Sequence, residues 1–302
     1  MDESLICEQI RGLCKERNAL ILAHYYTDYS VQQIADRVGD SLELARYALT
    51  TDKDVIVFCG VSFMGESAKL LCPDKTVLIP RKNVGCAMAD TVTAEDIKRL
   101  RGEYPDAAVV CYINSNAETK ALCDICCTSS NAEKVVRSAQ KRQVIFVPDK
   151  NLGGYVCERV KDKEIIVFDG CCPYHNAVTA KDVYAAKKKH PSALLLTHPE
   201  CPKEVRDMSD FVGSTAQIIK YAEESTAREF IIGTENGVTD RLSHLLSEKQ
   251  FYPLSASFIC NDMKKITRED VLNALLYDTY EVSVSDDIAD KARAPLFAMM
   301  SL

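Results

Sequence analysis

The chain has 302 residues, 47% hydrophobic and 27% charged, which suits a soluble globular protein able to bury a large core. A net charge of −7, a pI near 5.4 and no basic run beyond the solvated face Lys187-Lys188-Lys189 argue against a nucleic-acid partner. Glu3, Glu8, Arg11, Lys15, Glu16 and Arg17 leave no room for a signal peptide or membrane span at the start. The fourteen cysteines therefore read as reduced thiols of a cytoplasmic protein with no membrane contact, not as a disulfide scaffold.

A helical stretch from Ser4 to Arg17 leads into the apolar run Ala19–Ala23; a helix follows Ser41, and a strand follows at Val55–Phe58. A short helix over Gly65–Leu71 precedes a third strand, Val77–Ile79, which ends shortly before Cys86. The pattern then recurs, with strands expected near Ala107–Tyr112, Val144–Val147 and Ile165–Phe168, and again near Ala193–Leu196, Phe230–Ile232 and Phe251–Leu254. Short β-branched runs alternating with helices mark parallel strands covered on both faces. The expected fold is α/β: three homologous three-layer α/β/α domains with parallel sheets around a pseudo-threefold axis. Their expected spans are residues 1–90, 91–176 and 177–302, the last including a C-terminal extension. A repeat overrides the two-domain prior that length alone would set.

The repeat is exact enough to count. Cys86, Cys172 and Cys260 stand 86 and 88 residues apart, and each is followed seven residues later by Thr-x-x-Asp: Thr93 to Asp96, Thr179 to Asp182, Thr267 to Asp270. This is a helix-capping signal with Asp where Glu is usual. At the end of the first strand of each unit stand His24-x-Tyr26, Tyr112-x-Asn114 and His198-x-Glu200, spaced 88 and 86. Fifteen residues beyond the second member of each pair come Ser41, Ser129 and Thr215. Ligands of parallel α/β sheets bind beyond the carboxyl ends of the strands, and residues two apart on a strand share a face. A hydroxyl residue opening a helix, as at Ser41 or in Ser214-Thr215, can hold an anion together with backbone N–H groups.

Two cysteine patterns compete for attention. Cys123-Asp124-Ile125-Cys126, with Cys127 adjacent, has no counterpart in the other units and reads as buried small residues, with redox chemistry the alternative. The widely spaced trio has one member per unit. Three thiolates are one short of the four that usually close a cubane cluster, so one iron would be open to act as a Lewis acid. Zinc at the same trio, or three buried thiols preserved by duplication, are the other readings.

Several segments together resemble the quinolinate synthase family: Ala23-His24-Tyr25-Tyr26, Val38-Gly39-Asp40-Ser41-Leu42, Tyr112-Ile113-Asn114-Ser115, Cys127-Thr128-Ser129-Ser130-Asn131-Ala132 and Pro148-Asp149-Lys150-Asn151-Leu152-Gly153. Cys172-Pro173-Tyr174-His175, His198-Pro199-Glu200-Cys201, Gly213-Ser214-Thr215, Gly233-Thr234-Glu235 and Met263-Lys264-Lys265 extend the likeness to the far end of the chain. The resemblance implies three α/β/α domains around a 4Fe–4S cluster held by Cys86, Cys172 and Cys260. It implies condensation of iminoaspartate with dihydroxyacetone phosphate to quinolinate, releasing phosphate and two waters. An aspartate-oxidising enzyme that supplies iminoaspartate would be a transient partner.

By position, the family likeness puts His24, Ser41, Tyr112, Asn114, Ser129, His198, Glu200 and Thr215 at the substrate, with Tyr26 and His175 close by. Both substrates are anionic, and Ser129, Ser214 and Thr215 could hold phosphate or carboxylate. Glu200, His198, Tyr26 and His24 are the candidate acids and bases, Glu200 foremost. The structural alternatives are a paired carboxylate for Glu200 and hydrogen-bonded scaffold imidazoles for the histidines. One departure stands out: where some members carry Cys-x-x-Cys-x-x-Cys, this chain reads Cys260-Asn261-Asp262-Met263, which argues against disulfide regulation there. An iron–sulfur hydro-lyase of another substrate and a cluster-based sensor are the rival functions, though a sensor's DNA-binding module is missing from the sequence.

Overall fold

The computed structural model describes residues 3–302. It contains three four-stranded, wholly parallel sheets. The first is built from β1 (Ala19–His24), β2 (Arg37–Gly39), β3 (Val55–Cys59) and β4 (Thr76–Leu78). The second has β5 (Ala108–Tyr112), β6 (Ile125–Cys127), β7 (Gln143–Val147) and β8 (Glu164–Val167). The third has β9 (Leu194–Thr197), β10 (Phe211–Val212), β11 (Glu229–Gly233) and β12 (Gln250–Pro253). Each sheet has the same order, second-first-third-fourth: β2-β1-β3-β4, β6-β5-β7-β8 and β10-β9-β11-β12.

The fold class expected from the sequence is the one observed, and its nine anticipated strands are all present. The three edge strands β2, β6 and β10 are additional. They are two or three residues long, too short for periodicity to reveal, and each exists by pairing on one side with a long central strand. The central strands β1, β3, β5 and β7 are buried almost throughout, as continuous apolar runs between two helical layers should be.

All three Thr-x-x-Asp signals are capping boxes. The Thr N–H donates to the Asp carboxylate at 3.0, 2.8 and 2.9 Å for Thr93, Thr179 and Thr267. The helices they open are Ala94–Glu103, Ala180–Lys189 and Arg268–Tyr277. The last packs Val271, Leu272, Ala274 and Leu275 into one core with Ile21 and Val57 of the first sheet. Ile6 and Ile10 of the N-terminal helix Glu3–Glu16 complete that core. The chain thus closes on itself, its third cysteine loop feeding a helix that covers its first sheet. The C-terminal helix Asp286–Met300 buries Ala292, Leu296 and Met299 against Ser62–Leu71, Ala117–Lys120 and β6, sealing the first unit to the second. Among the described residues, no helix is long and apolar enough to cross a membrane.

In each sheet the chain runs from the first strand outward to the second, then returns to the other side of the first. The carboxyl ends of β1, β5 and β9 therefore lie at topological switch points, where open α/β sheets leave a crevice for ligands.

Candidate active site

The three switch points face one cavity. His24 ends β1 and Tyr112 ends β5, while His198 follows β9 by one residue. With Tyr26, Asn114 and Glu200 they line the cavity. Ser41, Ser129 and Thr215 line it too, as do the three cysteines Cys86, Cys172 and Cys260. Ser214 does not: its Oγ accepts from Gln217 N at 3.3 Å and its N–H donates to Gln217 Oε1 at 2.8 Å, so both are consumed in capping the helix Thr215–Glu224. Ser41 and Thr215 are the first residues of helices, as their position in the repeat suggested. Ser129 lies in a turn ahead of the helix Ala132–Ser138, where Asn131 Oδ1 accepts the Thr128 N–H at 2.7 Å.

Backbone geometry sets the imidazoles. The Tyr26 N–H donates to His24 Nδ1 at 3.2 Å, and the Glu200 N–H donates to His198 Nδ1 at 3.3 Å. The same bond recurs in the first and third units because each pair spans the same turn off the strand. With Nδ1 an acceptor, a neutral imidazole carries its proton on Nε2. Both rings are neutral near pH 7: burial pushes His24 down to about 3 and His198 down to about 4.

A continuous polar path crosses the cavity wall. The Tyr26 hydroxyl lies 2.9 Å from Thr234 Oγ1 and 3.1 Å from Thr215 Oγ1. Thr234 Oγ1 lies 2.9 Å from His175 Nε2, and His175 Nδ1 lies 3.0 Å from Glu200 Oε2. The other Glu200 oxygen, Oε1, accepts the Tyr112 hydroxyl at 2.7 Å. Every member but Tyr26 is at least 95% buried, so these bonds act in a low dielectric. Burial alone would raise the Glu200 carboxyl, but His198, His175 and the Tyr112 hydroxyl outweigh it and hold it well below the usual carboxylate range. Burial, with Glu200 beside it, raises Tyr112 far above an ordinary phenol and keeps it a donor.

Two groups in the cavity face it with unusual chemistry. Asn114 Oδ1 is buried with no partner in the protein, an acceptor aimed at a site where a ligand donor would satisfy it. Asp40 accepts from Leu42 N and Glu43 N, both at 3.0 Å, and also draws on the Ala216 N–H of the third unit. Burial raises its carboxyl to about 6. Asp40 thereby occupies N–H groups at two helix starts, those of Leu42 and Glu43 at one and of Ala216 at the other.

Cys86, Cys172 and Cys260 are half-buried on the same cavity. Burial raises all three thiols, Cys86 to about 12, Cys260 to about 11 and Cys172 well above its ordinary value. Backbone N–H groups pull the other way at each sulfur, from Met88 and Ala89, from His175, and from Asp262 and Met263. Such N–H donors, repeated at the second or third residue after each cysteine, suit a bound thiolate. Among the described residues, the group that brings its ligand atoms within 4.8 Å of one another is Cys172, His175 and Glu200; the cysteine trio is not drawn that close. One tetrahedral ion with metal–sulfur bonds of about 2.3 Å would need the trio closer than this. All fourteen cysteines are unpaired, and Cys123, Cys126 and Cys127 lie buried in the core.

The repeat also holds residues that its cysteine and strand-end registers conceal. Val61, Asp149 and Glu235 are spaced 88 and 86, and each is the N-cap after the third strand of its unit. A valine in the first unit hides the register from a search for repeated polar residues. Thr234 could be found only as part of a motif, because its role depends on His175 and Tyr26 from two other units.

Three α/β units converge on a buried polar network and three cysteines, which is the arrangement of an enzyme with a candidate active site shared by all three sheets. Residues 8–301 match the family described as NadA, quinolinate synthetase A protein, and the chain belongs to that family. It is 49% identical to a quinolinate synthase of Caldicellulosiruptor saccharolyticus and 50% identical to one of Clostridium kluyveri, in both cases over 302 residues and the full length of both chains. It is 48% identical to quinolinate synthase 2 of Methanosarcina acetivorans, over all of this chain and 97% of that one.

Proposed function

We propose that the chain condenses iminoaspartate with dihydroxyacetone phosphate to quinolinate, for NAD biosynthesis, with a 4Fe–4S cluster bound by Cys86, Cys172 and Cys260. The observation that carries this reading is the placement of one cysteine from each unit on the same cavity as the Tyr26–Thr234–His175–Glu200–Tyr112 path. The half-buried thiols, their N–H donors and their wider spacing fit a cluster better than a single ion. Bound there, such a cluster would supply a Lewis acid at its open iron.

The chain's own residues account for the remaining requirements. Loss of two waters and closure of an imine ring need protons taken from carbon and delivered to leaving hydroxyls. Glu200, kept ionised by its flanking donors, is a weak base at rest and takes up a proton when the substrate displaces one of them; the Tyr112 hydroxyl beside it can return one. Tyr26, linked through Thr234 and His175 to the same carboxylate, offers a second proton route from the opposite wall. The Nε2–H groups of His24 and His198 are donors suited to carboxylate or phosphate oxygens, and Asn114 Oδ1 to an imine or hydroxyl hydrogen. Ser41, Ser129 and Thr215 add hydroxyls around the anion; Ser214 is left to capping. Burying these groups excludes water from a reaction that must release it.

Unpaired thiols throughout support a reducing, cytoplasmic setting. Iminoaspartate hydrolyses readily, which favours transient contact with an aspartate-oxidising supplier. The test is anaerobic reconstitution with iron and sulfide, followed by addition of both substrates. Four iron and four sulfide per chain with quinolinate formed is the expected result. Zinc without sulfide at the cysteines overturns the cluster. A loaded protein that dehydrates some other hydroxy acid and makes no quinolinate overturns the substrates.

A further inference from the structure

Each cysteine loop is pinned to its own sheet by the same bond. The N–H of the first residue after the third-strand N-cap (Ser62, Lys150 or Asn236) donates to a carbonyl two residues before the cysteine: Val84, Gly170 or Phe258, at 2.8, 2.7 and 2.9 Å. Beyond this common bond the units diverge. Asp149 caps its helix through Oδ1, which accepts Leu152 N at 2.7 Å, and with Oδ2 accepts the Cys172 N–H at 3.1 Å. Glu235 caps through Oε2, which accepts Gly237 N at 2.7 Å, and with Oε1 accepts the Cys260 N–H at 3.2 Å. Val61 can do neither, and among the described residues no carboxylate accepts the Cys86 N–H.

A second register ties each loop to the following unit. Asp90, Asn176 and Lys264 each stand four residues after a cysteine. Asp90 Oδ1 accepts from Asn116 Nδ2 at 3.3 Å, two residues past Asn114. Asn176 Oδ1 accepts from Asn151 Nδ2 at 3.0 Å, and the same amide donates to the Glu200 carbonyl at 2.9 Å. Lys264 Nζ donates to the Tyr26 carbonyl at 2.9 Å and pairs with Glu235 at 3.2 Å. Gly237 lets this third junction close: a Cβ there would meet the Tyr25 carbonyl oxygen at 2.6 Å.

We infer that Asp149 and Glu235 are positioning residues that fix Cys172 and Cys260 through their backbone N–H groups. Glu235 does so in one assembly with Lys264 and the Tyr26 carbonyl. Cys86, above Val61, is held by the common backbone bond without such a clamp. A carboxylate is required because it offers two acceptors to donors on opposite sides, and an amide presents one acceptor and turns its NH₂ toward an N–H or an ammonium. The consequence for cluster retention rests on the cysteines being cluster ligands, as proposed above; the consequence for the loops does not.

Iodoacetamide labelling of the cluster-free full chain, read site by site by mass spectrometry, tests the loops. Cys86 serves as the internal standard, and wholly buried Cys201 reports general loosening of the third unit. Glu235→Gln is expected to raise the Cys260-to-Cys86 labelling ratio at least fivefold, and Asp149→Asn the Cys172-to-Cys86 ratio, with Cys201 unchanged. After anaerobic reconstitution, both variants are expected to lose iron to a chelator several-fold faster than wild type. Unchanged labelling ratios overturn the inference, as does a rise in Cys201 that matches the rise in Cys260. If Glu235→Gln fails to fold, Asp149→Asn decides alone, because asparagine remains a good N-cap. A wild-type chain that takes up no iron and sulfide sinks the cluster reading, and the labelling ratios still decide the positioning roles.

Discussion

The Tyr112 hydroxyl donates to Glu200 Oε1 at 2.7 Å, so equivalent turns of two neighbouring units meet in one hydrogen bond. His175 Nδ1 lies 3.0 Å from the other Glu200 oxygen, so both oxygens of the carboxylate are engaged. The repeat thus places unlike residues at equivalent stations, and their differences set a phenol against a carboxylate where identical residues would make only a symmetric cavity.

If Glu200 moves protons, Glu200→Gln keeps volume and loses basicity. The expected fall in kcat for quinolinate formation is about 10²–10⁴-fold. Iron and sulfide content should stay at the wild-type level, since the cysteines are untouched. Tyr112→Phe, which removes one donor and leaves the carboxylate in place, is expected to cost less. Equal turnover in Glu200→Gln and wild type would remove Glu200 from the chemistry.

Asn114 has a different signature. Its buried Oδ1 makes no bond within the protein, so Asn114→Ala takes nothing from the folded state's hydrogen bonding. A substrate that satisfies this acceptor loses a bond worth about 1 kcal/mol, which is a rise in KM of about five- to tenfold. Thermal stability should be unchanged or slightly higher. A loss of stability without any kinetic effect would mark Asn114 as scaffold.

The buried imidazole of His24 makes stability depend on pH. Burial first, and His198 beside it second, lower the folded value to about 3 from 6.5. Below pH 6.5 the unfolded chain takes up a proton that the folded chain refuses until about pH 3. The contribution is therefore complete above pH 6.5 and lost as pH falls toward 3, by about 1.4 kcal/mol per unit. Asp40 opposes it, since burial raises its carboxyl from 3.8 to about 6 and favours the folded state as pH falls through that window. Chemical denaturation at pH 7, 5.5 and 4 should show a shallower acid loss in His24→Gln and a steeper one in Asp40→Asn. The same acid slope in all three proteins would contradict these assignments.

Much of this architecture is legible in the residues. Strand runs, capping boxes and cysteine spacing give the three sheets and gather the residues later found on one cavity, because each signal is local and repeats. Three things were not legible, each for a physical reason. The edge strands β2, β6 and β10 are too short to show a period and depend on a tertiary partner. The Ser214 hydroxyl looks like an anion ligand in sequence, but a Gln three residues on completes a capping box and takes it inward. Asp149 and Glu235 share a register with Val61, so an apolar residue in the first unit breaks the polar pattern.

The closure of the chain on its first sheet yields a test of which residues cohere. Leu275 lies on the helix Arg268–Tyr277, far from the N-terminus in sequence, yet it is 1% exposed among Ile6, Ile10 and Val57. Leu275→Ala should cost about 2–5 kcal/mol, the range for a buried leucine that leaves a cavity. Its neighbour Leu276 is 47% exposed, and Leu276→Ala should stay within about 0.5 kcal/mol of wild type. Hydrogen exchange localises the effect. In Leu275→Ala the amides of β1 and β3 are expected to lose protection ahead of those of β9 and β11, although residue 275 follows the third sheet in the chain. Loosening confined to the third sheet would mean that this helix stabilises the unit it follows, and that the first sheet is complete without it.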